Sequence, residues 1–206
     1  MIVDMETRLG MRIGTFVPAD GARAFRYPEA AGGLTPTVQA FVGGVTDRAS
    51  RAPSARHPAR GLVLIEAPYA DMTVLPHDLW ASCPAPPAHE WVLEQIRPGG
   101  GPSPADAGGL CISAMEVDRA IEDEFNEWYN EEHMPLMDAV PGMLSARRFV
   151  AISGLPRYVA VYHLASPDVY KERRWYEANQ TPWIRRIHRF RLRTLHMILE
   201  RVELKD

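Results

Sequence analysis

Three polar side chains, Asn126, Tyr129 and His133, follow one another at spacings of three and four residues. On an α-helix this spacing places all three along one stripe. Histidine is the only side chain whose unperturbed pKa, about 6.5, lies near neutral pH, and general acid–base catalysis requires such a pKa. The stripe therefore predicts proton transfer by His133, with Tyr129 and Asn126 polarising or positioning a substrate. The alternative is that His133 only caps the helix C-terminus, where the helix dipole favours a cation.

The neighbouring stripe and the following strand supply candidates for substrate binding. Phe125 and Trp128 lie beside the polar stripe, as pocket walls or as ordinary core residues. Arg147 and Arg148 are adjacent in a strand-like segment, so their side chains face opposite sides and only one can point inward. The inward arginine could hold an anionic group of the substrate, or it could pair with a helix carboxylate such as Glu131.

Two further candidates lie later in the chain. His163 shares one strand face with Val159 and Val161, which makes it either a second pocket histidine or an interface histidine whose hydrogen bonds are satisfied. Trp183 belongs to an aromatic group that either packs the second helix or contributes to the pocket.

These residues belong to a segment whose pattern predicts the element order β-α-β-β-α-β, the ferredoxin-like arrangement. Strands are predicted at residues 110–117, 143–152, 158–164 and 191–204. Asp118 is the predicted N-cap of the first helix, and Pro135 is predicted to end it. A second helix is predicted to begin at Ser166. The fold class predicted is therefore α+β.

The first half of the chain resembles a degenerate copy of the second. Residues 61–67 match the third strand of the later half, and residues 89–97 stand opposite its last strand. No early segment matches the helix that carries His133, so one site per chain is expected. Residues 48–60 are predicted to form an exposed loop, and residues 98–109 a Gly/Pro linker. The predicted units are a repeat at 1–97, this linker, and a second repeat at 110–206 that carries the site.

The helix and the turn after it contain a recognisable motif. Its pattern is F-x-x-W-Y-x-x-x-H-x-P, formed by Phe125, Trp128, Tyr129, His133 and Pro135, with a V-P-G turn at 140–142. Over about the last hundred residues the chain resembles the dimeric α+β barrel superfamily, and within it the EthD-like members and related uncharacterised bacterial proteins. The resemblance implies the fold, whereas the superfamily's reactions range over isomerases, polyketide cyclases, cofactor-free monooxygenases and haem enzymes. It leaves open whether the barrel closes within one chain or between two.

Composition excludes several other classes of protein. The net charge of −3 argues against a nucleic-acid partner, and no apolar run is long enough to cross a membrane. The first 14 residues do not resemble a secretory signal, and two cysteines make no disulfide framework, so a cytoplasmic protein is expected. Nucleotide-binding, serine-hydrolase and zinc motifs are not found, so no metal or cofactor is predicted, although haem needs only one histidine.

The sequence thus predicts a cofactor-independent enzyme of isomerase, cyclase or lyase type, for a small hydrophobic, aromatic or polyketide-like molecule. The expected assembly is a homodimer. The alternatives are a non-catalytic small-molecule binding or accessory protein, and an oxygenase that is either cofactor-free or haem-dependent.

Overall fold

Eight antiparallel strands close into one barrel. The computed structural model describes residues 9–17, 20–26, 36–45, 60–72, 75, 79–81, 83–96 and 101–204. Around the barrel the strands run in the order β1-β3-β2-β8-β5-β7-β6-β4, and β4 returns to β1. The strands are Leu9–Phe16 (β1), Thr37–Val45 (β2), Arg60–Pro68 (β3), His89–Ile96 (β4), Gly109–Val117 (β5), Met143–Ser153 (β6), Tyr158–Leu164 (β7) and Arg191–Val202 (β8).

Each half of the chain contributes four consecutive strands in the same internal order. The first half gives β4-β1-β3-β2, and the second gives β8-β5-β7-β6. The halves join where β2 pairs with β8 and where β4 pairs with β6. The predicted ferredoxin-like α+β class is confirmed, and the barrel closes within one chain. Two tandem repeats would produce this repeated order, and the division into repeats stays a prediction.

The longer helices lie over the second half. They are α3 (Glu122–Trp128), α4 (Met134–Asp138), α5 (Arg173–Ala178) and α6 (Pro182–Ile187). In the described part of the first half, α1 (Asp20–Arg23) and α2 (Tyr69–Met72) have four residues each. No helix of the described residues is long and apolar enough to span a membrane.

The helix that carries the predicted site is continuous but irregular. Its N-cap is Asp118, as predicted, because the carboxylate accepts a hydrogen bond from the Ala120 N–H at 2.9 Å. A π-helical turn, Tyr129–His133, joins α3 to α4. The prediction that Pro135 ends the helix is wrong, since Pro135 lies in the first turn of α4. Proline lacks an N–H to donate into the preceding turn, and the wider turn at this point accommodates it.

The second helical segment is broken, contrary to the prediction of a single helix. A 3-10 turn at Pro167–Lys171 precedes α5, and α6 follows after a short gap. Pro182 disfavours helical geometry at Thr181, and Thr181 instead caps α6, its hydroxyl accepting from the Ile184 N–H at 3.2 Å.

Alternation along the strands separates two kinds of core. On β7, Val159 and Val161 face the barrel interior, whereas Tyr158, Ala160 and Tyr162 face the helices. The barrel interior is apolar over most of its length, and its central side chains include Met11, Ile13, Phe41, Leu62, Leu64, Trp91, Phe149 and Met197. The layer between the C-terminal sheet and its helices is the second core, and it contains most of the predicted site.

The Gly/Pro-rich segment between the halves is packed into the barrel. Residues 101–108 form neither helix nor strand, yet Ser103 is buried. The Ser103 N–H and hydroxyl both donate to the carboxylate of Glu66, at 2.8 and 3.0 Å. Gln39 donates to the carbonyl of Pro104 at 2.8 Å. We call residues 101–108 the plug, because this segment binds the side chains of Glu66 and Gln39, which lie on the strand faces that line the barrel interior.

Candidate functional site

A cluster of polar and aromatic side chains lies between α3, the π-helical turn and the outward face of β6 and β7. Tyr129 and His133 are buried, with 2% and 4% of their surface exposed, and Asn126 is half-buried. The wider π-helical turn begins at Tyr129 and ends at His133. Single π-helical turns inside α-helices are frequently found at functional sites. This turn coincides with the predicted catalytic stripe.

Arg148 is the cation of this cluster. It is 2% exposed and rises from β6 against the helix. Its guanidinium donates to the side-chain oxygen of Asn126 at 2.8 Å and to that of Asn130 at 3.4 Å. The guanidinium carbon lies 4.1 Å from the ring centroid of Tyr129, which is cation–π geometry. Arg148 therefore contacts two members of the predicted stripe.

The electrostatics of Arg148 are dominated by burial. Loss of hydration lowers the pKa of the guanidinium, and the phenols of Tyr129, Tyr162 and Tyr158 act in the opposite direction. A positive charge in such a low-dielectric layer interacts with an anion far more strongly than it would in water.

His133 is held by aromatic rings. Its imidazole stacks on Trp128, with centroids 4.5 Å apart and planes inclined by 24°, and meets the edge of Tyr129 at 5.3 Å. The indole N–H of Trp128 donates to Glu132 at 3.1 Å, and the hydroxyl of Thr181 donates to the same oxygen at 2.5 Å. Glu132 thus fixes Trp128 and ties this helix to α6, which together set the orientation of the stacked imidazole.

Six of the nine predicted site residues come together here. Phe125 completes the group, because its ring lies 5.0 Å from that of Tyr129 and 5.5 Å from the guanidinium carbon of Arg148. The six are Asn126, Tyr129, His133, Phe125, Trp128 and Arg148.

Arg147 lies on the opposite face of β6, as the alternation of strand side chains requires. It is fully buried in the barrel and pairs with Glu66 at 2.6 Å. It also donates to the hydroxyl of Ser103 at 2.7 Å and to the carbonyl of Gly101 at 2.9 Å. The structure therefore does not bring Arg147 to the cluster, and its carboxylate partner comes from a strand and not from Glu131.

His163 also faces the barrel interior and is not brought to the cluster. It is fully buried, and its Nε2 lies 3.1 Å from the side-chain oxygen of Gln39. Burial, together with the positive charges of Arg147 and Arg201, lowers the pKa of the imidazole to about 3. Its Nδ1 is buried without a hydrogen-bond partner among the described residues, so His163 is not the satisfied histidine of the alternative prediction either.

Trp183 lies on α6 at the margin of the helix layer. It is half-buried and packs against the edge of the core. It lies near Glu124, whose pKa is lowered chiefly by a hydrogen bond from Arg186 and to a smaller extent by one from Trp183. The structure places Trp183 outside the group formed around Tyr129.

Three residues beside the cluster were not predicted as site residues. Arg157 and the hydroxyl of Tyr158 both contact one carboxylate oxygen of Glu122, each at 2.5 Å. They line an open cleft of about 440 Å³ that also includes Val117 and Leu192. The sequence did offer one signal for Tyr158. Strand alternation places Tyr158 and Tyr162 on the same face of β7, and this face adjoins the face of β6 that carries Arg148.

The cluster does not fit a metal or a haem. Among the described residues, no three His, Cys, Asp or Glu side chains are grouped as metal ligands. An axial histidine needs open space in front of a ring nitrogen. His133 is 4% exposed and packed between Trp128 and Tyr129, so haem ligation would require these rings to be displaced.

Comparison with known proteins shows the fold. No family model matches the chain, and no curated protein matches its sequence. An uncharacterized ferredoxin-fold protein related to antibiotic biosynthesis monooxygenases, from Listeria monocytogenes, matches with a TM-score of 0.56 and 10% identity over 99% of this chain and 100% of that chain. A monooxygenase-like protein from Listeria innocua has a TM-score of 0.52 and 13% identity over 98% of each chain. An anthrone oxidase-like protein has a TM-score of 0.54 and 11% identity over 96% of this chain and 92% of that chain.

The chain has a ferredoxin-like α+β fold whose eight strands close into one barrel. At these identities the comparisons establish the architecture, and the chemistry must be argued from the side chains.

Proposed function

We propose that the chain is a cofactor-independent enzyme that moves protons on a small hydrophobic molecule with a carbonyl or phenol group. One observation carries this proposal: a buried guanidinium, Arg148, and a buried imidazole, His133, contact the same ring, that of Tyr129. A fixed cation beside a titratable base is what the formation of an oxyanion by proton removal requires.

Each member of the cluster has a role in this reaction. His133 takes a proton from the substrate, once the packed rings of Trp128 and Tyr129 move to admit it, and returns the proton at a later step. Arg148 stabilises the oxygen that gains negative charge, and Asn126 and Tyr129 orient that oxygen. The rings of Phe125 and Trp128 form apolar walls, which exclude water and so strengthen the attraction between the guanidinium and the oxyanion. The EthD-like resemblance is part of this proposal, because four of the five motif residues belong to the cluster: Phe125, Trp128, Tyr129 and His133.

The reaction class follows from the charge that the cluster favours. Removal of a proton from a carbon next to a carbonyl gives an enolate, whose oxygen carries the charge. Return of a proton to a different carbon is isomerisation, whereas attack by the enolate on a second carbonyl is cyclisation. Both need an acid–base residue and a cation, and neither needs a cofactor.

The second candidate is a cofactor-free oxygenase, which the names of two structural neighbours favour: monooxygenase-like and anthrone oxidase-like. An anthrone has an acidic CH2 group opposite its carbonyl. Its enolate reacts with O2 to give the quinone and one molecule of water, with both CH2 hydrogens and one oxygen atom leaving as water. The same two residues would act in the first step, so the two candidates differ only in whether O2 consumes the enolate.

Hydrogen–deuterium exchange tests the common step. The protein is incubated in D2O under nitrogen with anthrone and with 2-tetralone, and loss of the CH2 signal is followed by NMR above the rate in buffer. We expect His133→Ala and Arg148→Met each to reduce the enzymatic rate by about 100-fold or more. His188→Ala, on the turn after α6, is the matched histidine control and retains the rate.

Each contrary outcome has a definite meaning. Exchange at the full rate in His133→Ala overturns the role given to His133. Binding of both ketones that survives His133→Ala, without exchange in any variant, favours the non-catalytic binding protein. Oxygen uptake in air that matches the exchange rate identifies the oxygenase.

A further inference from the structure

The hydroxyl of Tyr158 occupies the boundary between the cluster and solvent. Tyr158 is 8% exposed, and its ring centroid lies 5.8 Å from the guanidinium carbon of Arg148 and 4.9 Å from the ring of Phe125. Strand pairing explains the proximity, because Tyr158 stands opposite Val150 on β6, two residues from Arg148 on the same face. The Tyr158 ring therefore forms part of the wall of the cluster, while its oxygen points toward the open cleft.

That hydroxyl is held by a carboxylate that has other partners. Tyr158 donates to Glu122 at 2.5 Å, and Arg157 donates to the same oxygen at 2.5 Å. Asn126 links this group to the cation, because its amide nitrogen donates to the backbone carbonyl of Glu122 at 3.0 Å while its oxygen accepts from Arg148 at 2.8 Å. Glu122 and Asn126 thus link the cleft to the buried guanidinium, the first through both its carboxylate and its backbone carbonyl.

The protonation state of Tyr158 suits a hydrogen-bond donor. Burial raises the pKa of the phenol, the hydrogen bond to Asn126 and the charge of Arg157 lower it, and Glu122 raises it. The hydroxyl therefore keeps its proton at neutral pH. A neutral phenol beside a guanidinium gives two donors of different kinds, and an oxyanion placed between them would accept from both.

Building on the proposed function, we propose that Tyr158 is a second donor to the ionised oxygen of the ligand, and that Glu122 competes for the same hydroxyl proton. The ligand class is a phenol or enol that binds as its anion. When the anion is bound next to Arg148, the Tyr158 hydroxyl turns from Glu122 to the ligand oxygen, and Arg157 retains its ion pair with Glu122. The carboxylate opposes anion binding in two ways, by accepting the proton and by repelling the negative charge.

This assignment predicts opposite effects for the two partners of one hydrogen bond. Tyr158→Phe removes the donor and weakens binding of the anion by about tenfold or more, the usual effect of losing one charge-assisted hydrogen bond. Glu122→Gln replaces the carboxylate with a weaker, neutral acceptor and removes a negative charge, so binding of the anion becomes tighter by about threefold or more. If the contact only stabilised the local structure, both substitutions would weaken binding.

Equilibrium dialysis with 4-nitrophenol, above the pKa of the free phenol, measures these affinities, since the phenolate is coloured. 4-Nitroanisole, which has no ionisable hydroxyl, is the companion ligand, and we expect its affinity to be the same in all variants. Tyr176→Phe, on the exposed face of α5, and Glu127→Gln, on the exposed face of α3, are the matched controls. Thermal unfolding verifies that each variant is folded.

The outcomes separate this assignment from the proposed function. Loss of nitrophenolate binding in Arg148→Met, together with unchanged binding in Tyr158→Phe and Glu122→Gln, leaves the proposed site intact and overturns the role of Tyr158. Weaker binding in Glu122→Gln, or an equal loss of nitroanisole binding in Tyr158→Phe, also overturns it. Failure of the wild-type protein to bind either ligand overturns both.

Discussion

Replacement of Arg147 by methionine should be among the most destabilising single changes in the barrel. Arg147 is fully buried and Glu66 is 2% exposed, and their side chains are 2.6 Å apart. Arg147→Met keeps much of the side-chain length but removes the charge. Among the described residues, Glu66 would then keep hydrogen bonds only from Ser103, the residue by which the plug is attached.

The magnitude follows from the charge left behind. Removing one partner of a buried ion pair typically costs about 3–5 kcal/mol, because the remaining charge is neither hydrated nor paired. In a chain of this size, 1 kcal/mol corresponds to about 2–4 °C in the midpoint of thermal unfolding. The expected decrease is therefore about 6–20 °C.

A second substitution, at Glu66, tests whether the uncompensated charge causes the loss of stability. The Nε of Arg147 is buried without a hydrogen-bond partner among the described residues, so the cost of dehydrating the pair is not fully offset. The double variant Arg147→Met, Glu66→Leu should therefore recover most of the stability lost in the single variant.

Urea unfolding followed by circular dichroism measures both variants, with Arg185→Met on the exposed face of α6 as the control. The control should change the free energy of unfolding by less than about 0.5 kcal/mol. A loss below about 1 kcal/mol in Arg147→Met, or a double variant no more stable than the single one, would refute the reasoning.

Two other predictions concern different parts of the barrel. The folded protein keeps His163 unprotonated down to about pH 3, whereas the unfolded chain takes up a proton below about pH 6.5. The free energy of unfolding should therefore decrease as the pH is lowered through this window, by up to about 1.4 kcal/mol per pH unit. Urea unfolding at several pH values should show that this slope is smaller in His163→Leu, and an equal slope would contradict the assignment. Gly142 has a φ of +82°, and an added Cβ would lie 2.7 Å from a methyl group of Val169, so Gly142→Ala should cost about 1–2 kcal/mol of unfolding free energy. Thermal unfolding measures that cost, and a variant as stable as the wild type would show that the turn has relaxed.

Periodicity predicted the second half of the chain well. The segment Tyr158–Leu164 was located to the residue, because alternating large side chains mark a strand that is buried on both faces. Grouping of Asn126, Tyr129 and His133 was also predictable, since helical spacing determines it.

The remaining features depend on contacts that are distant in sequence. Strand alternation predicts that Arg147 and Arg148 face opposite sides of the sheet. Only the pairing of β6 with its neighbours decides which of the two faces the helices. The partner of Arg147 is 81 residues away, and no local pattern identifies it. The Gly/Pro composition of residues 101–108 correctly excludes regular structure, but composition does not reveal that backbone groups of an irregular segment will meet buried side chains.

Closure of the barrel within one chain affects how many ligands each barrel can bind and how substitutions alter its two helix layers. In a barrel assembled from two identical subunits, every substitution appears twice, and each helix layer is a copy of the other. Here a single chain supplies both halves, so a substitution alters one layer only, and the layer over β6 and β7 can specialise independently. Among the described residues only that layer contains the His133 and Arg148 cluster, so we expect saturation at one ligand per barrel, where a symmetric dimer would bind two.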